Sequence, residues 1–408
     1  MSNSVPEGWY QSKLGVVADL IMGQSPPSNT YNNSRIGLPF FQGKTDFGSH
    51  YPSVRVWCSK PTKVAEKDSI LFSVRAPVGD INIASESCCI GRGLAAIKGT
   101  KVEQAFLYQT FKFVKHRFQL LAQGSTFEAV SGGEMRDFKL ILPPLPEQKK
   151  IAAILTSVDT VIEKTQAQID KLKDLKTGMM QELLTKGIGH TEFKDSPVGW
   201  IPVEWEVDSI ESFGISILDG DRGKEYPKEK DFFQNEYCLF LSAKNVTKHG
   251  FKFNETVYIT KKKDDLLRKG KLIRNDIVIT TRGTVGNIAL YDDSISYNHI
   301  RINSGMAIIR NQEDKLDTEY LNLVLHSPLV CEQIELLAFG SAQPQLTIGL
   351  IKNLFIPKPD IEEQNKISKS IGSIQEKISI VESKLKSLQN TKKALMQDLL
   401  TGKVRLKV

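Results

Sequence analysis

Apolar residues recur at alternating steps of three and four in two stretches of the chain, residues 147–187 and residues 363–403. This heptad spacing aligns apolar side chains in a narrow seam along a helix, and a narrow seam favours packing against another helix. A helix of about 40 residues would extend roughly 60 Å. The predicted seam residues are Ile151, Leu155, Val158, Ile162, Ile169, Leu172, Ile367, Ile371, Ile374, Ile378, Leu385 and Leu388.

The two heptad stretches are copies of one sequence. They align without a gap at an offset of 216, so that EQKKI and MQELLTKG in the first match EQNKI and MQDLLTGK in the second. Farther upstream, ILFSVRAPVGDI at 70–81 matches IVITTRGTVGNI at 277–288. The chain is therefore a tandem duplication in which the tails differ less than the parts that precede them.

Prolines stand immediately before each tail, where they indicate the end of a globular part and the start of a helix. They are Pro143, Pro144 and Pro146 in the first copy, and Pro357 and Pro359 in the second. The predicted divisions are a first domain over residues 1–146, a spacer helix over 147–188, a second domain over 189–361 and a second spacer helix over 362–408.

The two tail helices can bury their seams most simply against each other. A two-fold arrangement would make the pair antiparallel and place the globular domains at opposite ends of a helical spacer. Two alternatives stay open: each helix packs on its own domain, or it pairs with a helix of another chain. Lys176 and Lys392 occupy the same seam position in the two helices. They could set the register of the pair or snorkel towards solvent near the helix ends, and we expect the latter.

The globular parts show a mixture of strand and helix patterns. Short β-rich runs at 53–57, 69–74 and 276–281 are bounded by turn residues, whereas 103–122 and 318–338 look helical, with Pro328 expected to break the latter. The phenylalanines at positions 106, 111, 113 and 118 are predicted to be core residues and not base-stacking platforms. The predicted fold class is mixed α and β (α+β), with two repeated domains and two long antiparallel coiled-coil helices.

Composition narrows this picture only slightly. A chain of 408 residues is long enough for two or three domains. No apolar run reaches the roughly 18 residues of a membrane span, and the N-terminus lacks a signal layout, so we expect a cytoplasmic protein with no membrane partner. The net charge of +7 is mild and unevenly distributed. Bulk charge therefore does not establish nucleic-acid binding.

One local cluster of basic residues occurs in the second domain. Residues 244–274 contain ten lysines and arginines and only three acidic residues. Such a cluster could make several phosphate contacts and give a strongly salt-dependent affinity. It could equally be a solvated, lysine-rich hairpin, and the sequence leaves both interpretations open.

Polar turn clusters are where base readout is expected, because Arg, Lys, Asn, Gln, Ser and Thr supply donors and acceptors that match base edges. Ordinary loop polarity is the alternative for each of them. The candidates in the first domain are Gln24, Ser25, Gln42, Lys44, Thr45, Arg75, Ser125 and Thr126. Those in the second are Arg222, Lys244, Asn245, Lys261, Lys262, Lys263, Arg282, Ser341 and Gln343.

Motifs for metal binding and catalysis are missing from the sequence. Its five cysteines form no Cys-x-x-Cys pair and its six histidines no His-x-x-x-His pair, so buried free thiols and no metal site are predicted. Residues 37–45 resemble a phosphate loop but have five residues between the glycines where the motif has four. Asp360, Glu382 and Lys384 fit the loose spacing of a nuclease carboxylate motif, but Glu382 and Lys384 lie on the predicted heptad helix and not on a strand edge where they could hold Mg²⁺. An amino-methyltransferase motif is absent. We therefore expect no catalytic residue.

These features together resemble the specificity subunits of type I restriction–modification enzymes. The resemblance covers essentially the whole chain and is carried by Pro-Glu-Gly-Trp at 6–9, LPPLPEQKKIAAIL at 142–155, and the helix ends ELLTKG and DLLTGK. The second tail departs from the pattern, since it begins with KPDIEEQNKI. The resemblance implies two target-recognition domains held apart by antiparallel helices. It also implies a bipartite target in double-stranded DNA, with an unread gap whose length the helices set.

The resemblance further implies partner subunits. Two methyltransferase subunits would bring S-adenosylmethionine, and motor-nuclease subunits would bring ATP and Mg²⁺, while this chain would hold no cofactor and direct methylation and restriction. Two alternatives remain at this point. The chain could serve a different methyltransferase system, or it could be a homodimeric coiled-coil adaptor without DNA specificity.

Overall fold

The computed structural model describes residues 5–123, 129–312, 316–338 and 345–407. It divides into two compact units, the first formed by residues 1–168 with 381–408 and the second by residues 169–380. The two long helices span Leu145–Lys186 and Ile361–Leu400. Each unit therefore contains one globular domain and one segment of each long helix.

The first unit contains the elements up to the first long helix and the last part of the second long helix. Its strands are β1 (Tyr10–Lys13), β2 (Ala18–Met22), β3 (Tyr31–Asn32), β4 (Leu38–Phe41), β5 (Trp57–Cys58), β6 (Val64–Ala65), β7 (Ile70–Ser73), β8 (Ile81–Ile83), β9 (Cys88–Ile90), β10 (Leu94–Gly99) and β11 (Lys139–Leu142). Its helices are α1 (Leu14–Val17), α2 (Gln104–Gln123), α3 (Gly132–Asp137) and the first part of α4 (Leu145–Lys186). The strand predicted over 53–57 is largely wrong, because only Trp57 of that run is in a strand.

A four-stranded antiparallel sheet, β2-β10-β7-β8, lies at the centre of the first domain. Alternate residues of β7 enter different apolar clusters, because successive side chains of a strand point to opposite faces. Ile70 and Phe72 pack with α2, whereas Leu71 packs on the side that carries Phe41 and Ile90. Both faces of this strand are covered, which explains why its residues Ile70, Leu71 and Phe72 are apolar without interruption.

Helix α2 covers one face of this sheet with aromatic side chains. Phe106, Phe111 and Phe118 are completely buried, and the ring centroids of Phe111 and Phe118 lie 5.6 and 4.8 Å from that of Phe72. The predicted core role of these residues is confirmed, and Phe113 packs at the edge of the same cluster.

The second unit repeats this organisation. Its strands are β12 (Phe193–Lys194), β13 (Ile201–Pro202), β14 (Glu206–Ser209), β15 (Ser216–Asp219), β16 (Cys238–Phe240), β17 (Val246–Thr247), β18 (Gly250–Phe251), β19 (Tyr258–Ile259), β20 (Ile277–Thr280), β21 (Ile288–Leu290), β22 (Ile300–Arg301), β23 (Met306–Arg310) and β24 (Phe355–Lys358). Its helices are α5 (Lys261–Leu266), α6 (Thr318–Leu325), α7 (Pro328–Ala338), α8 (Ile348–Lys352) and the first part of α9 (Ile361–Leu400).

The central sheets of the two domains correspond strand by strand. The sheet β15-β23-β20-β21 has the order of β2-β10-β7-β8, and β14 pairs with β24 as β1 pairs with β11. Parallel pairing of β16 with β22 likewise corresponds to that of β4 with β9. Pro328 starts α7 after α6 has ended at Leu325, so the predicted break is confirmed. The duplication read from the tails therefore extends to the central sheet, whereas the outer sheets differ: the first domain has a five-stranded sheet, β3-β5-β4-β9-β6, and the second a three-stranded one, β19-β16-β22.

Within each unit the segments of α4 and α9 run antiparallel. In the first unit, Glu147 and Asp159 of α4 contact Arg405 and Lys392 respectively. In the second unit, Lys176 contacts Gln375, and the residues just after α4 contact Glu363. All twelve predicted seam residues are buried or half-buried, which confirms the helix pair.

The ends of the helices also belong to the domain cores. Ile151 and Leu155 of α4 share one apolar cluster with Leu399 and the buried phenylalanines of the first domain. Leu184 joins Ile367 in the cluster of the second domain. Packing on a domain and packing on the other helix, which the sequence treated as alternatives, therefore occur together.

The two seam lysines do not simply snorkel to solvent. The ammonium of Lys392 donates to Asp159, and their side chains are 13% and 19% exposed. Lys176 donates to the amide oxygen of Gln375 at 2.9 Å. Asp159 and Gln375 are themselves separated by the repeat offset of 216, so the same lysine contact occurs once in each unit. The expectation of snorkelling is wrong, because each lysine has a polar partner on the other helix.

Asp159→Ala is expected to lower the free energy of unfolding by about 2 kcal/mol at neutral pH. The substitution removes the carboxylate that pairs with two partly buried ammonium groups, those of Lys112 and Lys392. Burial opposes ionisation of Asp159, but hydrogen bonds from Gln109 and Lys392 and the charge of Lys112 outweigh it, so its pKa lies below the usual value. The stabilisation is therefore complete above the ordinary aspartate pKa of about 3.9 and declines as pH falls through the lower folded-state value. Urea unfolding between pH 7 and pH 3 measures it.

The repeat supplies the control for this experiment. Gln375→Ala removes the corresponding neutral acceptor and should cost less, with no dependence on pH in this range. Equal losses for the two variants across the whole pH range would contradict the assignment of the effect to the charge of Asp159.

Candidate nucleic-acid interface

The first domain contains an open cleft of about 780 Å³ at one edge of its two main sheets. Four of the predicted site residues line it together, Gln42, Lys44, Thr45 and Arg75. They come from the segment after β4 and from the loop after β7, which are far apart in sequence. The structure thus brings separate polar turns to one concave surface. Arg55 and Arg92 also line the cleft, although the sequence did not single them out as site residues.

Asp46 fixes the shape of one wall of the cleft. Its carboxylate accepts the backbone N–H of Gln42 at 2.9 Å and the guanidinium of Arg55. Asp46 is buried, so these bonds are shielded from water and hold the turn that carries Lys44 and Thr45. Arg55 thus has a positioning contact as well as an exposed surface.

The cations of the cleft differ in how far they are neutralised. Lys44 lies 2.7 Å from Asp80, which Lys115 also contacts. Burial raises the pKa of Asp80, but the hydrogen bonds from Lys115 and Lys44 outweigh this and hold the pKa below its usual value. Arg75 and Arg92, by contrast, are exposed and form no ion pair within the described part of the chain. These two guanidinium groups therefore have the donors most available to an incoming ligand.

Gln24 and Ser25 are not among the residues that line the cleft but support the turn that carries Arg92. The backbone N–H of Gln24 donates to the carbonyl of Ile90 at 3.0 Å, and the hydroxyl of Ser25 accepts the N–H of Arg92 at 3.3 Å. Both residues thus hold the turn between β9 and β10. Four other predicted site residues lie outside the described residues: Ser125, Thr126, Ser341 and Gln343.

In the second domain two predicted arginines lie at the corresponding sheet edge. Arg282 is exposed in the loop that follows β20. Arg222 follows β15, and its guanidinium contacts the carboxylate of Asp219 and the carbonyl of Ser304, both at 3.2 Å. Both domains therefore present arginine side chains at the same edge of the fold.

Asn245 must be removed from the candidate site. It is 1% exposed, and its amide nitrogen donates to the carbonyls of Lys252 and Glu255 while its oxygen accepts from Ser242. All of these bonds close the loop that contains it. Lys263 must also be removed from the candidate site, because its side chain is only 16% exposed and its ammonium lies near the carboxylates of Glu225 and Asp231. Both residues stabilise local structure and are not free to contact a base.

The remaining lysines of the basic cluster are at the surface. Lys244 forms an exposed ion pair with Glu255 at 2.8 Å, a kind of contact that contributes little and exchanges readily. Lys261 and Lys262 are exposed in the first turn of α5, which Thr260 caps. Lys271, in contrast, is paired with the buried Asp264. The cluster is therefore partly neutralised, and only some of its charge can reach a phosphate.

The cysteines fit the predicted buried thiols. All five are free, four are buried and Cys331 is half-buried. Burial raises the pKa of Cys88 to about 12, which keeps it protonated and unreactive. Among the residues that the structure describes, no group of His, Cys, Asp and Glu is arranged to hold a metal ion. In the same residues no helix is long and apolar enough to cross a membrane.

A duplicated domain with an arginine-bearing edge, attached to paired long helices, is the organisation of a DNA-recognition subunit. Residues 6–174 and 202–390 both match the type I restriction modification DNA specificity domain, and the chain belongs to that family. It is a specificity subunit of a type I restriction–modification system. Membership of this family removes the alternative of a coiled-coil adaptor without DNA specificity.

Curated relatives carry the same description. The chain is 42% identical over 185 residues to a putative type I restriction enzyme MjaX specificity subunit of Methanocaldococcus jannaschii, a match that covers 44% of each chain. It is 28% identical over 418 residues to the MjaVIII specificity subunit of the same organism, covering 99% of this chain and 94% of the relative. The EcoBI specificity subunit of Escherichia coli is 22% identical, over 91% of this chain and 80% of the relative.

Solved structures show the same fold. The crystal structure of a type I restriction–modification S subunit from M. genitalium matches with a TM-score of 0.63 at 15% identity, covering 98% of both chains. A chain from a structure that describes complex assembly and conformational transition of the type I R-M system matches with a TM-score of 0.59 at 17% identity, over 99% of this chain and all of that one. At this identity the likeness supports the fold alone.

Proposed function

We propose that this chain recognises a bipartite sequence in double-stranded DNA, with one half read by each domain, and that it contributes no catalytic residue to the complex it serves. The observation that carries the proposal is the repeat of an arginine-bearing edge in both domains, at Arg75 and Arg282. Phosphate contacts position such a surface and base contacts give it specificity. In this proposal the helices set the length of the unread gap.

The proposal assigns the chemistry to partner subunits. Two methyltransferase subunits would use S-adenosylmethionine, and motor-nuclease subunits would use ATP and Mg²⁺. The duplication supports two methyltransferases, because two equivalent units offer two equivalent docking surfaces. The helix contacts that recur in both units, such as Lys392 with Asp159 and Lys176 with Gln375, support the same view.

Mapping of methylated adenines in a host that carries or lacks this chain tests the proposal. We expect methylation at one gapped motif, which disappears when the gene is deleted and returns when it is restored. Omission of the motor-nuclease subunit should abolish restriction but leave methylation. Persistence of the motif in the deletion strain would contradict the proposed function.

Co-purification separates the remaining alternative. A chain that serves a different methyltransferase system would bring down a methyltransferase without a motor-nuclease subunit. Recovery of both classes of partner with the full-length chain is the expected result. The isolated chain should bind none of the three cofactors in equilibrium dialysis.

A further inference from the structure

The arginine-bearing edge is built around one backbone hydrogen bond in each domain. In the first domain the N–H of Val74 donates to the carbonyl of Gly93 at 3.0 Å, and in the second the N–H of Thr281 donates to that of Gly305 at 2.8 Å. Each bond joins the loop after the central strand to the turn that precedes β10 or β23. Residues next to these bonds are therefore held close together at the ends of paired strands.

Two arginines flank this bond in the first domain. Arg75 follows Val74, and Arg92 precedes Gly93. Both line the same cleft. Neither arginine forms an ion pair within the described residues. The hydrogen bond between Val74 and Gly93 fixes the backbone that carries them, so their guanidinium groups are available to a ligand from fixed attachment points.

The second domain keeps two arginines at this edge but takes one of them from another strand. Arg282 follows Thr281 as Arg75 follows Val74, whereas the position of Arg92 is occupied by Ser304. The missing cation comes from Arg222, whose guanidinium donates to the carbonyl of Ser304 at 3.2 Å.

Arginine and serine have therefore exchanged places between the repeats. In the first domain the position that corresponds to Arg222 is Ser25, whose hydroxyl accepts the N–H of Arg92 at 3.3 Å. Gly23 and Gly220, two residues before Ser25 and Arg222, each approach the facing turn closely and confirm the correspondence. A purely structural contact would require only the serine and the backbone. Each domain nevertheless has a second arginine at this edge, although Arg92 and Arg222 belong to different segments of the fold. This indicates that the guanidinium group itself has a function.

We propose that Arg75 and Arg92 read guanine in the first half-site, and that Arg282 and Arg222 do so in the second; this rests on the proposed function. A guanidinium donates two hydrogen bonds in a fixed fork, which matches the O6 and N7 acceptors of guanine in the major groove. Asp219, at 3.2 Å from Arg222, orients that fork in the second domain. Phosphate contact is the competing use of the same chemistry, and the test must separate the two.

The test measures methylation of a library of DNA sites by the wild-type chain and its variants, each assembled with the methyltransferase subunits. Arg92→Ser is expected to reduce the preference for guanine at one position of the first half-site by about 10- to 100-fold, without a change in the second half-site. Arg92→Lys should give the same loss, because an ammonium keeps the charge but lacks the fork. Lys60→Ser, at an exposed lysine of the same domain, should leave the motif unchanged.

The exchange between repeats provides a rescue. The double variant S25R/R92S places the arginine where the second domain has it, and should recover most of the guanine preference that R92S loses. Thermal unfolding and assembly with the methyltransferase subunits verify that each variant is folded.

Two outcomes would overturn the proposal. One is an unchanged motif in R92S. The other is a loss that is uniform over all sequences, is reversed in R92K and lowers the salt dependence of binding by about one ion, as expected for a phosphate contact. Neither outcome would remove the gapped motif of the wild-type complex, so failure of this inference is distinguishable from failure of the proposed function.

Discussion

Glu363→Ala is expected to lower the free energy of unfolding by about 3 to 4 kcal/mol, because it leaves three donors, among them the buried indole of Trp205, without an acceptor. The carboxylate of Glu363 accepts the N–H of Ile188 at 2.7 Å, the ring nitrogen of His190 at 3.0 Å and the indole N–H of Trp205 at 2.9 Å. Glu363 is only 8% exposed, so water cannot readily replace it. These bonds tie the start of α9 to the segment after α4 within the second unit.

The neighbouring residue is the control for this prediction. Glu362 is in the same helical turn but exposed, and Glu362→Ala should change the free energy of unfolding by less than about 0.5 kcal/mol. Urea denaturation followed by tryptophan fluorescence measures both variants. Equal stability of the two would show that the buried carboxylate is not the anchor that its hydrogen bonds indicate.

The first unit contains the matching contact. Glu147 is 216 positions before Glu363 and accepts the guanidinium of Arg405 and the N–H of Leu406. The hydrogen bond from Arg405 holds the pKa of Glu147 below its usual value despite burial. The Glu-Gln pair that starts each tail is thus explained: its glutamate anchors the segment that follows the other helix. Gln148 and Gln364 accept the N–H groups of Glu103 and Asp317 respectively.

Much of the architecture could be predicted from the sequence because it depends on periodic patterns. The heptad seam fixed which side chains of α4 and α9 are buried, and the repeat offset identified equivalent positions such as Asp159 and Gln375. The role of the Glu-Gln pair could not be derived, because the partners of the glutamates lie far away along the chain, 158 residues for Trp205 and Glu363 and 258 for Arg405 and Glu147. Only the folded chain brings them together.

The candidate site was less predictable because polar loop residues have two possible uses. Asn245 has the composition of a base reader but closes its own loop, and no pattern in the sequence distinguishes these roles. Arg92 escaped detection for another reason, since its counterpart in the repeat is Ser304 and a comparison position by position hides a cation that has changed strands. A search for arginine beside the repeated Gly93 and Gly305 could have found it, because Arg92 directly precedes Gly93.

Gly23→Ala is expected to disrupt recognition of the first half-site and to lower the free energy of unfolding by about 2 to 3 kcal/mol. A Cβ at position 23 would lie 2.2 Å from the carbonyl oxygen of Gly91 and 2.7 Å from that of Leu94. Both contacts are with backbone, so the turn that carries Arg92 must move. The same substitution at Gly220 would place a Cβ 2.2 Å from the carbonyl oxygen of Asn303 and should affect the second half-site instead.

A third glycine is the control for both variants. Gly43 lines the same cleft as Arg92, but a Cβ there would meet nothing within 4 Å. Gly43→Ala should therefore keep the stability of the wild type. Urea unfolding and methylation of the site library measure the three variants, and a Gly23→Ala chain with wild-type stability and an intact first half-site would contradict the prediction.

The pattern of loss distinguishes the placement of the turn from the chemistry of its arginine. Gly23→Ala displaces the whole turn, so preference should weaken at several positions of the first half-site. Arg92→Ser removes one side chain from an undisturbed turn, and its effect should be confined to a single guanine. Because S25R/R92S restores a guanidinium without moving the backbone, it should rescue Arg92→Ser, whereas introducing S25R into the Gly23→Ala chain should rescue nothing. Such a difference would show that the arginine selects the base, whereas the glycine allows the turn that carries the arginine to take its position.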